Sequence, residues 1–452
     1  MKKSNLLTIN LCIVLTLIFS CSSDNGDSTS QNTITANNFT NSIEENPTNG
    51  TSLGMLNATI NNDTTISYAL NSQSVSGAIA LSNTGELTVT DVSAFDYEIN
   101  TEITATYTAT SGDESATGDI TITIGNIKDA PFMYKVKPVL FNGDYVMVIN
   151  GASQIGTEVL TYNFMVDWGD GSAIETVTDI SNVNHQYMDD NLYTISLFGD
   201  MPGIRIGSES LSLAREIIQW GEVEWKYLIG TFANNPDLQI TATDTPDLSN
   251  VTALTQTFEN CTNLNSGNFN DWDVSSITSL FETFKNCSKF NQDLNNWNTS
   301  NVTDLIGTFE NTFDFNGNIS NWDVSNVENM NNAFVGASRF NQDISGWKTE
   351  NLIRMAAMFS GAKSFNQDIS NWDVSKVTEM TLTFFNADSF NQDISGWDVG
   401  AVTDMSRMFE NNDGFNQDIS DWDVDAVISC SDFAKNIVFP SENLPSFNNC
   451  TP

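Results

Sequence analysis

Phe365-Asn366-Gln367-Asp368-Ile369-Ser370-Asn371-Trp372-Asp373-Val374-Ser375-Lys376-Val377-Thr378-Glu379-Met380 leads on to Thr383-Phe384. At Phe390-Asn391-Gln392-Asp393-Ile394-Ser395-Gly396-Trp397-Asp398-Val399 the pattern begins again. Trp272, Trp297, Trp322, Trp347, Trp372, Trp397 and Trp422 all keep the same 25-residue interval. Phe290, Phe315, Phe340, Phe365, Phe390 and Phe415 form a second column, and Phe284, Phe309, Phe334, Phe359, Phe384 and Phe409 a third. A fourth runs Leu280, Leu305, Met330, Met355, Met380 and Met405. Two looser turns, marked by Phe232 and Phe258, come first at a step of 26. A fixed period of this length means that each unit is one coil, burying its apolar side against the coils before and after it.

Within a unit, Ile277, Leu280, Phe281 and Phe284 are spaced by three and four, which predicts a helical segment. Leu294 and its Ile equivalents, with Trp and Val, suit a short strand. Coils of strand plus helix paired at the strand spacing of about 4.8 Å would build a rod on the order of 40 Å from nine units. The tryptophans stand beside Val and Ile, which favours a core position over a sugar-stacking platform.

Polar columns accompany the apolar ones. Asn291, Asn316, Asn341, Asn366, Asn391 and Asn416 are expected to form an inward ladder that satisfies backbone groups. Asp293, Asp343, Asp368, Asp393 and Asp418 would repel one another unless hydrogen-bonded to backbone N–H or bridged by a cation. They are therefore read either as caps on a solvated edge or as a cation-binding column.

The array, with Gln219-Trp220-Gly221 and Thr241-Ala242-Thr243-Asp244-Thr245-Pro246-Asp247-Leu248 leading into it, resembles BspA-like leucine-rich-repeat surface proteins. That resemblance implies an α/β leucine-rich-repeat-like solenoid over 204–430, a C-terminal cap over 431–452, and adhesion or protein and matrix binding rather than a reaction.

Upstream, residues 131–203 read as β-structure. Phe164-Met165-Val166-Asp167-Trp168-Gly169-Asp170-Gly171-Ser172, His185-Gln186-Tyr187 and Tyr193-Thr194-Ile195-Ser196-Leu197 resemble the signature of PKD-type sandwiches. Gly169, Asp170 and Gly171 supply the turn chemistry that joins two strands. His185 is the single histidine of the chain and has no nucleophile motif beside it, which counts against triad chemistry and histidine-based zinc sites.

Residues 39–130 alternate with period two in Thr65–Leu70, Glu86–Thr90, Ile103–Tyr107 and Ile120–Ile124, as strands of a sandwich do. Glu45-Asn46-Pro47-Thr48-Asn49-Gly50-Thr51, Phe95-Asp96-Tyr97-Glu98 and Asn126-Ile127-Lys128-Asp129-Ala130-Pro131 resemble the motifs of a cadherin repeat. The resemblance implies that Glu45, Asp96, Glu98 and Asp129 contribute to a Ca²⁺ site, carboxylates being suited to that hard cation. Against a full set, Lys128 replaces a ligand, the linker is a residue short, and Ser111 stands where an Asp is expected.

At the N-terminus, Lys2 and Lys3 precede an apolar stretch, Leu11–Phe19, too short to span a bilayer. Ile18-Phe19-Ser20-Cys21 resembles a bacterial lipobox, although Phe19 is bulkier than usual. That resemblance implies a signal peptide over 1–20, lipidation at Cys21, a flexible tether over 21–38, and an outer-membrane or cell-surface lipoprotein held by acyl chains. Loss of the two lysines would take the net charge from −40 to −42. A chain so acidic is repelled by nucleic acid.

Of six cysteines, Cys12 would leave with the leader and Cys21 would carry lipid. Cys430 and Cys450 bracket the C-terminal end and are read as a disulfide closing the last coil. For Cys261 and Cys287, in equivalent places of successive repeats, a bridge and two buried thiols remain open readings. The fold expected is thus multidomain: two N-terminal all-β sandwiches, cadherin-like and PKD-like, followed by the α/β solenoid. The function expected is non-enzymatic binding or adhesion by a surface lipoprotein, with Ca²⁺ as a candidate cofactor. A glycan-capture lipoprotein for polysaccharide uptake is the alternative.

Overall fold

A computed structural model describes residues 32–61, 64–97, 99–125, 130–152, 154–155, 157–206, 213–437 and 440–452. The expected leader, Cys21, Glu98 and Asp129 lie outside them. The chain divides into two units, Met1–Ile127 and Lys128–Pro452. Among the described residues no helix is long and apolar enough to cross a membrane.

The first unit is built from strands β1 (Ile34–Ala36), β2 (Phe39–Glu44), β3 (Ser52–Met55), β4 (Ala58–Ile60), β5 (Ser67–Gln73), β6 (Ile79–Leu81), β7 (Glu86–Val89), β8 (Glu102–Ser111) and β9 (Glu114–Gly125). One sheet runs β2-β9-β8-β5 and another β3-β7-β6, with β1 paired to β4. Strand β2 lies parallel to β9, and β8 antiparallel to it. Alternation sends Ile103, Ala105, Tyr107 and Ala109 of β8 and Ile120, Ile122 and Ile124 of β9 into one core. The Tyr107 hydroxyl donates to the Asn37 carbonyl at 2.7 Å, and its ring fills the space above Gly118, where a Cβ would come within 2.6 Å.

The second unit begins with β10 (Phe132–Val136), β11 (Val139–Phe141), β12 (Asp144–Asn150), β13 (Gln154–Ile155), β14 (Glu158–Val159), β15 (Asn163–Asp167), β16 (Glu175–Val177), β17 (Val183–Tyr187), β18 (Tyr193–Asp200) and β19 (Arg205–Ile206). It continues with β20 (Ala214–Gln219) and β21 (Gln239–Ile240). A six-stranded sheet runs β16-β15-β18-β10-β20-β21, facing a sheet in which β12 joins β11, β17 and β19. The first sheet does not stop at residue 203. Strand β20 pairs antiparallel with β10 and parallel with β21, which already belongs to the coils. One hydrophobic core therefore runs unbroken from Phe132 to Phe433.

The expected α/β construction of the repeats is not found. Among the described residues there is no α-helix, and the coils hold turns, one short strand, a three-residue 3-10 helix at Phe269–Asp271 and isolated parallel bridges such as Asp304↔Asn329 and Asn329↔Arg354. The physical reason lies in where the N–H groups go. Those of Leu280, Glu282, Phe284 and Asn286 donate to carbonyls of Asp304, Ile306, Thr308 and Glu310 in the next coil at 2.7–3.0 Å. The intervening N–H groups of Thr283, Lys285 and Cys287 reach back three residues instead, to Leu280, Glu282 and Phe284. An α-helix would send every one of them to the residue four back.

Glu282 and Asn286 adopt φ of 50° and 59°, and each later coil repeats that pair of left-handed residues, for example Leu382 and Asn386 at 59° and 54°. Overlapping turns with left-handed residues four apart are incompatible with a right-handed helix. They nevertheless turn Leu280, Phe284 and Cys287 inward, at spacings of four and three. The apolar period that predicted a helix is thus shared by a ribbon of turns.

Packing between coils is aromatic. Phe284, Phe309, Phe334, Phe359, Phe384 and Phe409 stack with ring centroids 5.5–5.8 Å apart. Each also packs on the Phe of the second column in its own coil, as Phe359 does on Phe365 at 4.0 Å. The column tryptophans are 2–5% exposed, and from Trp297 onward each indole N–H donates to a carbonyl one coil back, Trp372 to Ile344 at 3.2 Å. They are core, and they offer no stacking platform for sugars.

Candidate functional site

Each coil has two outward regions of different character. One is uniform. The Asn column lies on an outward edge rather than inward, and from Asn291 to Asn391 each Oδ1 accepts the backbone N–H of the Asn one coil on. Asn391 N–H thus reaches Asn366 at 2.9 Å, and Asn416 N–H reaches Asn391 at 2.9 Å. Gln392 and Gln417 add side-chain bonds to the same carbonyls and amides.

The aspartates beside them close local turns. Asp343, Asp368, Asp393 and Asp418 accept the N–H of Ser345, Ser370, Ser395 and Ser420 at 2.9–3.1 Å. The Ser hydroxyls and N–H groups hold all four carboxyls below the usual range, and for Asp368 this outweighs repulsion from Asp343 and Asp393. Asp293 instead accepts the N–H of Asn318 from the next coil at 2.8 Å. A second series, Asp273, Asp323 and Asp373, caps Ser275, Ser325 and Ser375 in the same way. Among the described residues no three His, Cys, Asp or Glu side chains converge as metal ligands.

The other region is the face of the turn ladder, and it varies from coil to coil. Flanking the uniform inward columns at Leu280 and Phe284 stand three columns that face outward at most coils and are buried at Gly307, Ser406 and Glu410. They read Phe281, Ile306, Asn331, Ala356, Thr381, Ser406; Glu282, Gly307, Asn332, Ala357, Leu382, Arg407; and Lys285, Glu310, Val335, Ser360, Phe385, Glu410. At one end Lys285 pairs with Glu282 at 2.5 Å and with Glu310 at 3.5 Å. Burial disfavours the Lys285 charge, but the two carboxylates outweigh it and raise its pKa. Burial, with Glu282 and Glu310 nearby, pushes the Glu259 carboxyl up. The middle is a saddle of small residues at Ala356, Ala357, Ser360 and Gly361. At the far end the Arg407 guanidinium sits 4.7 Å over the Phe385 ring and pairs with Glu410, beside half-buried Leu382. The sequence signal for these columns is the set of variable positions flanking the uniform ones.

The remaining candidate residues are structural where they are described. Glu45 is 2% exposed and its carboxylate accepts the Tyr97 N–H at 2.7 Å, while Asp96 accepts that of Ile99 at 3.1 Å. Glu98 and Asp129 lie outside the described residues, so of the four carboxylates expected for Ca²⁺ only Glu45 and Asp96 are described. Ser111 is buried and bonds to Thr64 and Thr65. His185 Nε2 lies 2.8 Å from Asp170, its ring stacked on Trp168 and edge-on to Tyr187. Hydrogen bonds from Ser172 and then His185 take the Asp170 carboxyl down to about 2. Gly169 closes the turn where a Cβ would meet the Thr194 carbonyl at 2.1 Å.

A disulfide joins Cys430 to Cys450. Cys261 and Cys287 are free buried thiols that donate to the Phe232 and Phe258 carbonyls, and burial pushes Cys261 up to about 12.

Comparison with known proteins adds a family resemblance to this geometry. Residues 226–347 and 329–447 match the family described as Mycoplasma protein of unknown function, DUF285, so the match falls on the coils. No curated protein matches the chain. Among solved structures, the protocadherin gammaB4 extracellular domain is 17% identical, covering 25% of this chain and 19% of that one, with a TM-score of 0.21. Mouse cadherin-23 EC22-24 is 20% identical, covering 37% and 55%, with a TM-score of 0.22. The human desmocollin-1 ectodomain is 18% identical, covering 34% of each, with a TM-score of 0.21. The chain therefore spans between 19% and 55% of these solved chains, and superpositions of that size decide nothing about its activity.

Proposed function

We propose that this is an extracellular binding protein whose ladder face recognises a protein or matrix partner. The observation that carries the reading is the coil-to-coil variation of the columns at Glu282 and Lys285, whose backbone N–H groups are taken by main-chain carbonyls. Their side chains are free to differ without loss of the stack, as diversified repeat surfaces require. The lipobox-like Ile18-Phe19-Ser20-Cys21 supports display from a membrane by an acylated Cys21, with the β-rich segments as spacers. Binding rather than catalysis is supported by His185, which is spent on Asp170 and Trp168. Glycan capture loses its main support with the burial of the tryptophans.

The test is adhesion of beads coated with the purified chain to cells and matrix from its natural surroundings. Phe385→Ala with Arg407→Ala should reduce adhesion at least tenfold while the melting temperature holds. Equal adhesion by the double variant, or turnover of a polysaccharide by the chain, would defeat the reading.

A further inference from the structure

The coil stack presents an open row of backbone donors at its C-terminal side. In each preceding coil, alternate N–H groups of the ladder donate forward: Met405, Arg407, Phe409 and Asn411 reach the carbonyls of Ser429, Ser431, Phe433 and Lys435 at 2.8–2.9 Å. In the last coil the equivalent donors are the N–H groups of Cys430, Asp432, Ala434 and Asn436. Among the described residues no acceptor receives them.

The half-coil that follows covers the other side of the turn. The Ile419 N–H donates to the Asn443 carbonyl at 3.0 Å, Leu444 takes the place of the column Ile, and Phe447 that of the column Trp. The disulfide to Cys450 and the bonds from Asn448 and Asn449 to Asp425 hold that half-coil down. Between it and the ladder lies a groove of about 400 Å³ lined by Phe433, Ala434, Leu444 and Phe447, among others. Ala434 stands where six coils in succession carry the stacked Phe. The last ring of that column, Phe409, meets Phe433 edge-on at 5.5 Å, and Phe433 packs on Phe447 across the groove.

Donors at every second residue beside an apolar slot are the two elements of strand addition: main-chain bonds supply affinity and a pocket supplies selectivity. We infer that this end of the stack binds an extended segment of a partner polypeptide bearing an aromatic side chain. Its carbonyls would accept from Asp432, Ala434 and Asn436, and its ring would enter the groove beside Ala434, against Phe433 and Phe447. This site is separate from the ladder face and does not depend on that face's role.

The experiment uses the 452-residue chain and a synthetic nine-residue probe copying its own ladder, Glu379 to Ala387. Binding is followed by titration, and amide exchange is read at Asp432, Ala434 and Asn436. The three amides should exchange freely in the chain alone and slow at least tenfold with saturating probe. Replacing the probe's aromatic residue equivalent to Phe384 by Ser should weaken binding at least tenfold. Ala434→Phe, which fills the groove, should do the same without lowering the melting temperature. If Ala434→Phe fails to fold, the exchange readout on the unaltered chain still decides. Protected amides in the free chain would mean that the edge is already covered and would overturn the proposal. So would undiminished binding by a folded Ala434→Phe chain, or self-association at the same amides without probe.

Discussion

The uniform edge and the ladder face lie on the same coils and are built by opposite means. On the edge, side chains complete the backbone: Asn366 holds the N–H of Asn391, and Asp368 holds that of Ser370. Replace either residue type and a backbone donor loses its partner. On the ladder face alternate N–H groups go to main-chain carbonyls, Phe384 N–H to Met408 O at 2.9 Å and Leu382 N–H to Ser406 O at 3.0 Å, so the side chains of the Glu282 and Lys285 columns have no such duty. In the Phe281 column, by contrast, Asp304, Asn329, Asn331 and Asp404 take the N–H groups of Ile306, Asn331, Ala356 and Ser406. The Asn column repeats where its side chains complete the backbone, and the columns at Glu282 and Lys285 vary where the main chain completes itself.

Changes in the core, on the edge and on the ladder face test that contrast. Phe359, fully buried between Phe334 and Phe384, serves both regions, and Phe359→Ala should cost about 3–5 kcal/mol in chemical denaturation. Its outward neighbour Ser360→Ala should shift stability by less than about 0.5 kcal/mol. On the edge, Asn366→Ala removes the acceptor of both the Asn391 N–H and the Gln392 amide and should cost about 1 kcal/mol. An equal cost at Ser360 and Asn366 would erase the distinction. On the ladder face, Ala357→Gly relieves a left-handed residue at φ 54° and should raise stability by less than about 1 kcal/mol.

Acid should act through the edge and Asp170. Carboxyls of Asp273, Asp323, Asp343, Asp368 and Asp170 are depressed in the folded chain, so their stabilisation is complete above the unfolded carboxylate pKa of about 4. It is lost as the pH falls towards the folded values, about 2 for Asp170. The melting temperature should therefore decline between roughly pH 4 and pH 2, and replacing Ser345 and Ser370 by Ala should soften that decline. The smallest expected effect is that of a chelator. With each edge carboxylate already accepting a backbone N–H, chelation should leave the melting temperature unchanged, and a clear fall would restore a cation to the Asp column.

Much of this was legible in the residues. The columns at Trp372, Phe365, Phe384 and Met380 are all inward, and the strand segments around Ile103 and Ile120 pair in one sheet. Lost to the sequence reading was the conformation of the segment from Leu280 to Cys287. Apolar spacings of three and four report only which side chains turn inward, and an α-helix and a ribbon of overlapping turns answer that requirement equally. Left-handed residues at Leu382, Ala357 and Arg407 gave no warning, since none of these is a residue type that favours positive φ.

The sequence by itself determined the 25-residue period, the inward columns and the contrast between uniform and variable positions, because burial and repetition need only residue type and spacing. Only the tertiary structure decided where alternate backbone N–H groups point. That choice depends on a neighbouring coil standing within hydrogen-bond reach, and no residue of a single coil encodes it. From that choice follow both the satisfied ladder face and the open donor edge at Asp432, Ala434 and Asn436.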